Sequence, residues 1–336
     1  MRVQLRFAPA LLLALLLAGC APRLAPPGPG ALGPPTLQIE ALGMEAFLTA
    51  DGLSLPLAVW RPDGPVKAAV LALHGFNDYA EAFAMPGPWL AAHGIAVYAY
   101  DQRGFGRSAT PGLWAGSDAL ALDFRTGLRL VAARHRGVPV YALGESMGAA
   151  VVLAALADDP PPGLDGVVLV APAVRGRAAM PAYQRVALWL ATHTVPWLHL
   201  SPEGLDILPS DNREMLRAFS ADPLVIKGSR VDTLWGLVDL MDRGLDAAPR
   251  LRPRALLLYG RRDEVIPPPG MHLLLERLPG AALTIALYPE GYHMLLRDRQ
   301  REVVWRDLAA WIDGAPLPSG ADHGPPLADE PLPRLK

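Results

Sequence analysis

The chain has 336 residues, 51% hydrophobic and 19% charged, enough apolar material for one large α/β domain and too much for a disordered chain. Its 31 Lys and Arg nearly balance 33 Asp and Glu, leaving a net charge of −2 and no basic stripe of the kind that marks a nucleic-acid surface. A lone cysteine excludes an intrachain disulfide framework and a cysteine-built zinc site.

Arg2 and Arg6 precede an apolar run from Phe7 to Ala18, followed by Gly19 and Cys20. A positive start, a short apolar stretch and small residues before a cut site predict an export signal over residues 1–19. The run spans about 18 Å as a helix, short of a hydrocarbon core about 30 Å thick, which argues against a permanent membrane span. The segment Leu17-Ala18-Gly19-Cys20 resembles the lipobox of bacterial lipoproteins. That resemblance implies an acylated Cys20 as first mature residue, anchoring the protein to a membrane of the bacterial cell envelope. Ala21, where an Asp would signal retention in the inner membrane, points to the outer one. Prolines crowd residues 21–35 and the end of the chain. They predict a Pro/Gly-rich tether over residues 20–38 and a flexible tail over residues 314–336, flanking a folded body of residues 39–313.

Within the body, β-rich runs at residues 55–60, 68–73, 95–100, 138–143, 166–170, 255–259 and 283–288 alternate with helical stretches at 117–136, 147–157, 271–278 and 297–312. Several runs are apolar throughout, as expected of strands covered on both faces of a parallel sheet. The alternation predicts an α/β fold, a mostly parallel central sheet with helices on both faces. The rhythm breaks over residues 174–252, where helical apolar patches occur without a clear strand. An insertion capping the carboxyl edge of the sheet accounts for the break. In this cap Trp189, Trp197, Leu198 and Trp235 are candidates to line an acyl channel, or else they form the cap's own core.

Residues 140–157 read as a strand, then Gly144-Glu145-Ser146-Met147-Gly148, then a helix, the context a nucleophile elbow requires. So sharp a turn strains the serine and leaves no room for side chains at the two glycines. It also sets the Ser146 hydroxyl at a helix N-terminus, where negative charge is favoured. A serine needs a base, and the base needs an orienting acid. In this chain order the acid comes next and the base last, each in a loop after a late strand. Asp263 lies just past the strand at 255–259, with Asp239, Asp242 and Glu264 as rival acids, and His293 lies just past the last strand. An oxyanion hole takes one N–H from the residue after the nucleophile, Met147. Its second N–H comes from the loop after residues 68–73, from Phe76 or, as second choice, Asn77. His74 opens that loop, but it precedes the elbow and reads as a bracing residue. Residues 104–109 match a dinucleotide-binding glycine pattern, yet Thr110-Pro111-Gly112 forbids the helix that must open there. No phosphate-binding loop or His-Glu-x-x-His motif is present, so no cofactor and no metal are expected.

His74-Gly75-Phe76, the run 101–108 from Asp101 to Ser108, Gly144-Glu145-Ser146-Met147-Gly148, Asp222-Pro223-Leu224-Val225, Gly260-Arg261-Arg262-Asp263 and Gly291-Tyr292-His293 together resemble one branch of the α/β-hydrolases. That branch holds the monoacylglycerol lipases and lysophospholipases, and is also grouped with serine aminopeptidases. The likeness implies an α/β-hydrolase fold and a Ser146, Asp263, His293 triad that cleaves a carboxylic ester of a lipid-like substrate through an acyl-enzyme. Two positions depart from the family pattern. Residues 76–79 read Phe-Asn-Asp-Tyr where the family usually has x-Gly-Glu-His, and Glu145 stands where it usually has His. Both alter the pocket and neither removes a catalytic group. An aminopeptidase or amidase would share the triad; a carboxylate cluster in the cap would favour it, and Glu203, Asp206, Asp211 and Glu214 are scattered. A non-catalytic envelope scaffold is the other alternative, and it would tolerate loss of a triad member, whereas none is lost here.

Overall fold

The runs Ala68–Leu73, Ile95–Tyr100 and Ala255–Gly260 are buried at every position, so each must be covered on both faces. The computed structural model describes residues 21–31, 33–39, 45–157 and 161–321. In chain order, β1 (Thr36–Ile39), β2 (Glu45–Leu48), β3 (Ser54–Trp60) and β4 (Ala68–Leu73) precede α1 (Pro86–Ala92) and β5 (Ile95–Tyr100). There follow α2 (Ser117–Arg134), β6 (Val140–Glu145), α3 (Met147–Leu156) and β7 (Leu164–Val170). The interval expected as a cap holds α4 (Ala182–Thr194), β8 (His199–Leu200), α5 (Arg213–Ala221), β9 (Ser229–Arg230) and α6 (Val231–Ala247). Strand β10 (Ala255–Gly260), α7 (Pro268–Arg277), β11 (Leu283–Tyr288) and α8 (Arg301–Ile312) complete the body.

Among the described residues the main sheet has nine strands in the order β1-β2-β3-β5-β4-β6-β7-β10-β11. From β5 through β11 every pairing is parallel, and the β1–β2, β2–β3 and β3–β5 pairings are antiparallel. The mostly parallel α/β sheet expected from the sequence is therefore present. Strands β1 and β2 escape the sequence reading because they are four residues long and only partly buried, without an apolar run to betray them. One face of the sheet packs Leu71, Phe124, Val151 and Leu240 under α2, α3 and α6; the other packs Val70, Val97, Leu143, Trp305 and Leu308 under α1 and α8. Helix α6 thus belongs to the layered body, and the elements outside the layers lie between β7 and α6.

The stretch ahead of β1 lies along the body. The Arg23 N–H donates to Asp232 Oδ2 (2.9 Å), Ala25 N–H to Trp114 O (2.8 Å) and Gly28 N–H to Asp51 Oδ2 (2.8 Å). Residues 1–19, Cys20 and the tail from residue 322 lie outside the described residues. No helix among the described residues is long and apolar enough to cross a membrane.

The loop after β5 is tied down by charge. Arg103 forks between Asp51 (2.7 Å to Oδ2) and the buried Asp123 (2.8 Å to Oδ1). The guanidinium holds the Asp51 carboxyl well below the usual range, chiefly through its hydrogen bonds. Removing the cation strands Asp123 in the core, so Arg103→Leu is expected to cost about 3–5 kcal/mol of stability. A urea titration that leaves the midpoint unmoved would contradict this account.

Candidate active site

Strand β6 ends at Glu145 and α3 begins at Met147, so Ser146 alone makes the turn, at φ 53° and ψ −114°. This conformation is costly for a non-glycine residue, and it lifts the hydroxyl out of the strand–helix line. The turn closes only without a side chain at residue 148, where a β-carbon would stand 2.3 Å from Leu73 O. The Ser146 carbonyl accepts the N–H groups of Ala149 (3.0 Å) and Ala173 (3.0 Å), which hold the strained turn in place.

Ser146 Oγ lies 3.0 Å from His293 Nε2, and His293 Nδ1 lies 2.8 Å from Asp263 Oδ2. All three residues are buried. The loops that carry Asp263 and His293 follow the neighbouring strands β10 and β11, and they meet where a β-carbon at Gly260 would come within 2.4 Å of Gly291. Asp263 Oδ1 accepts the N–H groups of Val265 and Ile266, each at 2.9 Å, which fixes the carboxylate plane. The rivals are engaged elsewhere: Asp239 and Asp242 pair with Arg177, and Glu264 accepts the Leu208 N–H.

Burial opposes a charged imidazole, but the Asp263 carboxylate and its hydrogen bond, together with Glu145, outweigh it and hold the His293 pKa above the ordinary range. Protonated His293 has no lone pair for the serine proton. The value of kcat/KM is therefore expected to fall as the pH drops through this raised pKa, with a midpoint above the ordinary imidazole value of about 6.5. A profile flat from pH 5 to 8 under rate-limiting chemistry would contradict His293 as the base.

Met147 is the first residue of α3, and Phe76 follows β4; both line the cavity at Ser146. Among the described residues neither N–H is spent on a backbone bond outside the regular elements, so both remain open to a tetrahedral oxygen. Asn77, the second choice, lines the same cavity, and among the described residues its N–H is likewise spent on no such backbone bond; its Nδ2 donates to Ser229 Oγ (2.8 Å) and its carbonyl accepts the Ile226 N–H (3.0 Å), which tie the loop to the cap. His74 is buried and braces the loop, with Nδ1 donating to Gly75 O (2.8 Å) and Nε2 accepting the Gln102 N–H (3.0 Å). Burial pushes its pKa down, in keeping with a neutral ring.

Ser146 and His293 open onto a cavity of about 470 Å³ with mostly apolar walls, including Met180, Phe219, Leu237, Met241 and Ile266. The four cap residues expected to line an acyl channel are not among those walls. Trp189, Trp197 and Leu198 stand about half exposed on the outside, and Trp235 stacks under Arg177 (4.2 Å to the ring centroid). Their place is taken by α6 and by the loops that follow β7 and β10. One wall is charged. Buried Arg297 pairs with Asp78 (2.7 Å) and reaches Glu145 (3.3 Å), whose carboxyl burial pushes up. Sequence reading missed Arg297; the signal was an acid in a buried elbow, which requires a cation nearby. A larger, more polar hollow of about 750 Å³ shares Asp78, Phe219 and Arg297 but does not reach Ser146. Among the described residues no group of three or more His, Cys, Asp or Glu is placed to hold a metal ion.

A strained serine between strand and helix, a histidine and an aspartate after the last two strands, and a parallel sheet beneath them define an α/β-hydrolase. The chain belongs to the serine aminopeptidase S33 family, whose sequence model matches residues 64–300. It is 28% identical over 270 residues to the monoacylglycerol lipase of Mycolicibacterium smegmatis, covering 80% of this chain and 95% of that relative. It is 26% identical over 290 residues to human monoglyceride lipase, with 83% and 93% covered. The crystal structure of Paleococcus ferrophilus monoacylglycerol lipase superposes with a TM-score of 0.63 at 25% identity, over 77% of this chain and 98% of that one.

Proposed function

We propose that this protein is a serine ester hydrolase that cleaves single-chain lipid esters, monoacylglycerols or lysophospholipids, through an acyl-enzyme. The observation that carries the reading is the Ser146–His293–Asp263 hydrogen-bond chain opening onto an apolar cavity. As Ser146 Oγ bonds to the ester carbonyl carbon, its proton passes to His293 Nε2, and the carbonyl oxygen takes the negative charge before the Phe76 and Met147 N–H groups. Collapse breaks the carbon–oxygen bond to the alcohol, which leaves with the proton from His293. A water then repeats the sequence, giving its proton to His293 and its oxygen to the acyl carbon, and the acid departs as Ser146 regains its proton.

Relatives named as monoacylglycerol lipases support an ester over an amide, although the family carries an aminopeptidase name. The walls of the cavity support it too. Asp78 and Glu145, the two carboxylates among its lining residues, are both held by Arg297 rather than left to grip a substrate amine. Purified protein is expected to hydrolyse monoacylglycerols and lysophospholipids and to leave aminoacyl amides intact. Faster turnover of the amides would overturn the ester reading.

The same proposal extends to location, on sequence grounds alone. Cys20, within its lipobox-like segment, carries acyl chains and holds the protein on a membrane of the cell envelope, the outer one being favoured by Ala21. Wild type is expected to partition with membranes and to label with a palmitate analogue, and Cys20→Ser to do neither. Wild type recovered in the soluble fraction without label would refute the anchor.

A further inference from the structure

His293 lies between β11 and α8 in a stretch without regular structure, so hydrogen bonds to its neighbours must fix the base. Both peptide N–H groups that flank it are taken. Tyr292 N–H donates to Asp298 Oδ2 (2.7 Å), and Met294 N–H donates to Pro209 O (2.9 Å). Asp298 is wholly buried, and its other oxygen, Oδ1, accepts the hydroxyl of the equally buried Ser210 (2.6 Å). Pro209 and Ser210 belong to the segment between β8 and α5, within the interval expected as a cap.

That segment is stitched to the triad loops at every residue from 208 to 212. Besides Pro209 and Ser210, Leu208 N–H donates to Glu264, next to the acid Asp263 (2.8 Å). Asp211 Oδ1 accepts the Arg299 N–H (2.8 Å), and Asn212 Nδ2 donates to Arg297 O (2.9 Å). Asp298 stands apart within this stitch. Its carboxylate is held by two hydrogen bonds, and among the described residues no cation forms an ion pair with it. Burial pushes its carboxyl up to about 6 against the pull of the Ser210 hydroxyl and the Tyr292 N–H, and the nearby Asp211 and Glu145 add to the rise. An unpaired acid in the interior costs stability that an apolar side chain would not. Such a breach of the packing rules points to a task that only an acceptor can perform.

We propose that Asp298, braced by Ser210 of the cap, is a positioning residue: it holds the Tyr292 peptide and so sets the His293 imidazole within hydrogen-bond distance of Ser146. The inference rests on the reading above that Ser146, His293 and Asp263 hydrolyse an ester. The path is short. The Ser210 hydroxyl fixes Asp298 Oδ1, Asp298 Oδ2 fixes Tyr292 N–H, and the next residue places its Nε2 3.0 Å from Ser146 Oγ. Neither Asp298 nor Ser210 is among the cavity walls, so the pair acts on the base and leaves substrate binding alone. A displacement of the imidazole by about 1 Å is enough to cost about 100-fold in rate.

Three variants of the full chain test this on a short-chain ester, with kcat counted per site titrated by a fluorophosphonate so that unfolded protein drops out. Asp298→Ala removes both bonds and is expected to lower kcat about 100-fold while KM stays near the wild-type value. Asp298→Asn is expected to keep most of the wild-type kcat. Its carbonyl can accept the Tyr292 N–H while its NH₂ donates to Ser210 Oγ, so both bonds survive without the charge. Ser210→Ala keeps the Tyr292 bond alone and is expected to fall between the two. The far-downfield proton resonance of the His293–Asp263 hydrogen bond gives a second reading: weakened in Asp298→Ala, retained in Asp298→Asn. Asp298→Ala that turns over like the wild type overturns the inference. So does Asp298→Asn that fails as badly as Asp298→Ala, because the charge would then matter and the bonds would not. A raised KM at unchanged kcat also overturns it, since Asp298 would then serve binding. If Asp298→Ala does not fold, Ser210→Ala decides, and wild-type kcat with an unmoved resonance refutes the pair. Wild type that hydrolyses no ester overturns the hydrolase reading, and the resonance, which needs no substrate, still decides this inference.

Discussion

Ser146→Ala is expected to lower kcat by about 10⁶-fold, because removing one member of a serine–histidine–acid unit costs nearly as much as removing all of it. Ser146 Oγ is the group 3.0 Å from His293 Nε2, and without it the base has no nucleophile to activate. Stability should change little. The variant keeps the backbone bonds to the residue 146 carbonyl and loses a hydroxyl whose contact is the imidazole. The measurements are single-turnover hydrolysis of a monoacylglycerol and labelling by a fluorophosphonate, with thermal melts to verify the fold. Equal labelling of variant and wild type would place the nucleophile elsewhere.

Asp263→Asn is expected to cost about 10⁴-fold in kcat with the fold intact, for a reason that the loop itself supplies. The two backbone N–H groups of Val265 and Ile266 point at Oδ1 and demand an acceptor there. An asparagine must therefore turn its carbonyl to them and its NH₂ to His293 Nδ1. A donor in that place forces Nδ1 to be the lone-pair nitrogen and puts the proton on Nε2, where it cannot take the serine proton. Asp239→Asn and Asp242→Asn, whose carboxylates serve Arg177 outside the site, should leave kcat nearly unchanged. A larger loss from Asp239→Asn than from Asp263→Asn would mean that a different acid orients the base.

The elbow was legible because its requirements are local. Strand, turn and helix follow one another within a few residues, and Gly148 is demanded by the contact with Leu73 whatever surrounds it. Asp263 and His293 were legible because each ends a strand with an apolar run, and a parallel sheet carries successive strand ends to one edge. The same rule names Phe76 and Met147 as oxyanion candidates, and both line the cavity. Strands β1 and β2 were not legible, since a strand of only four residues is too short to show a period.

The cap shows the other limit. Helix α4 is apolar around most of its circumference, so its sequence names no inward face; only its packing against α6, with His193 edge-on to Trp235 at 5.9 Å, turns Gln184 toward the cavity and Trp189 away. Arg297 meets Glu145 across 152 residues, and the Arg23 N–H finds Asp232 across 209. Sequence by itself determined the fold class and named the three residues, Ser146, Asp263 and His293, that the structure joins by hydrogen bonds. Tertiary structure alone decided which side chains wall the cavity, which cation holds Glu145 and where the N-terminal strap lands. Residue type and spacing encode turns and periodic faces, whereas a contact between distant segments depends on how whole elements pack, which no local pattern records.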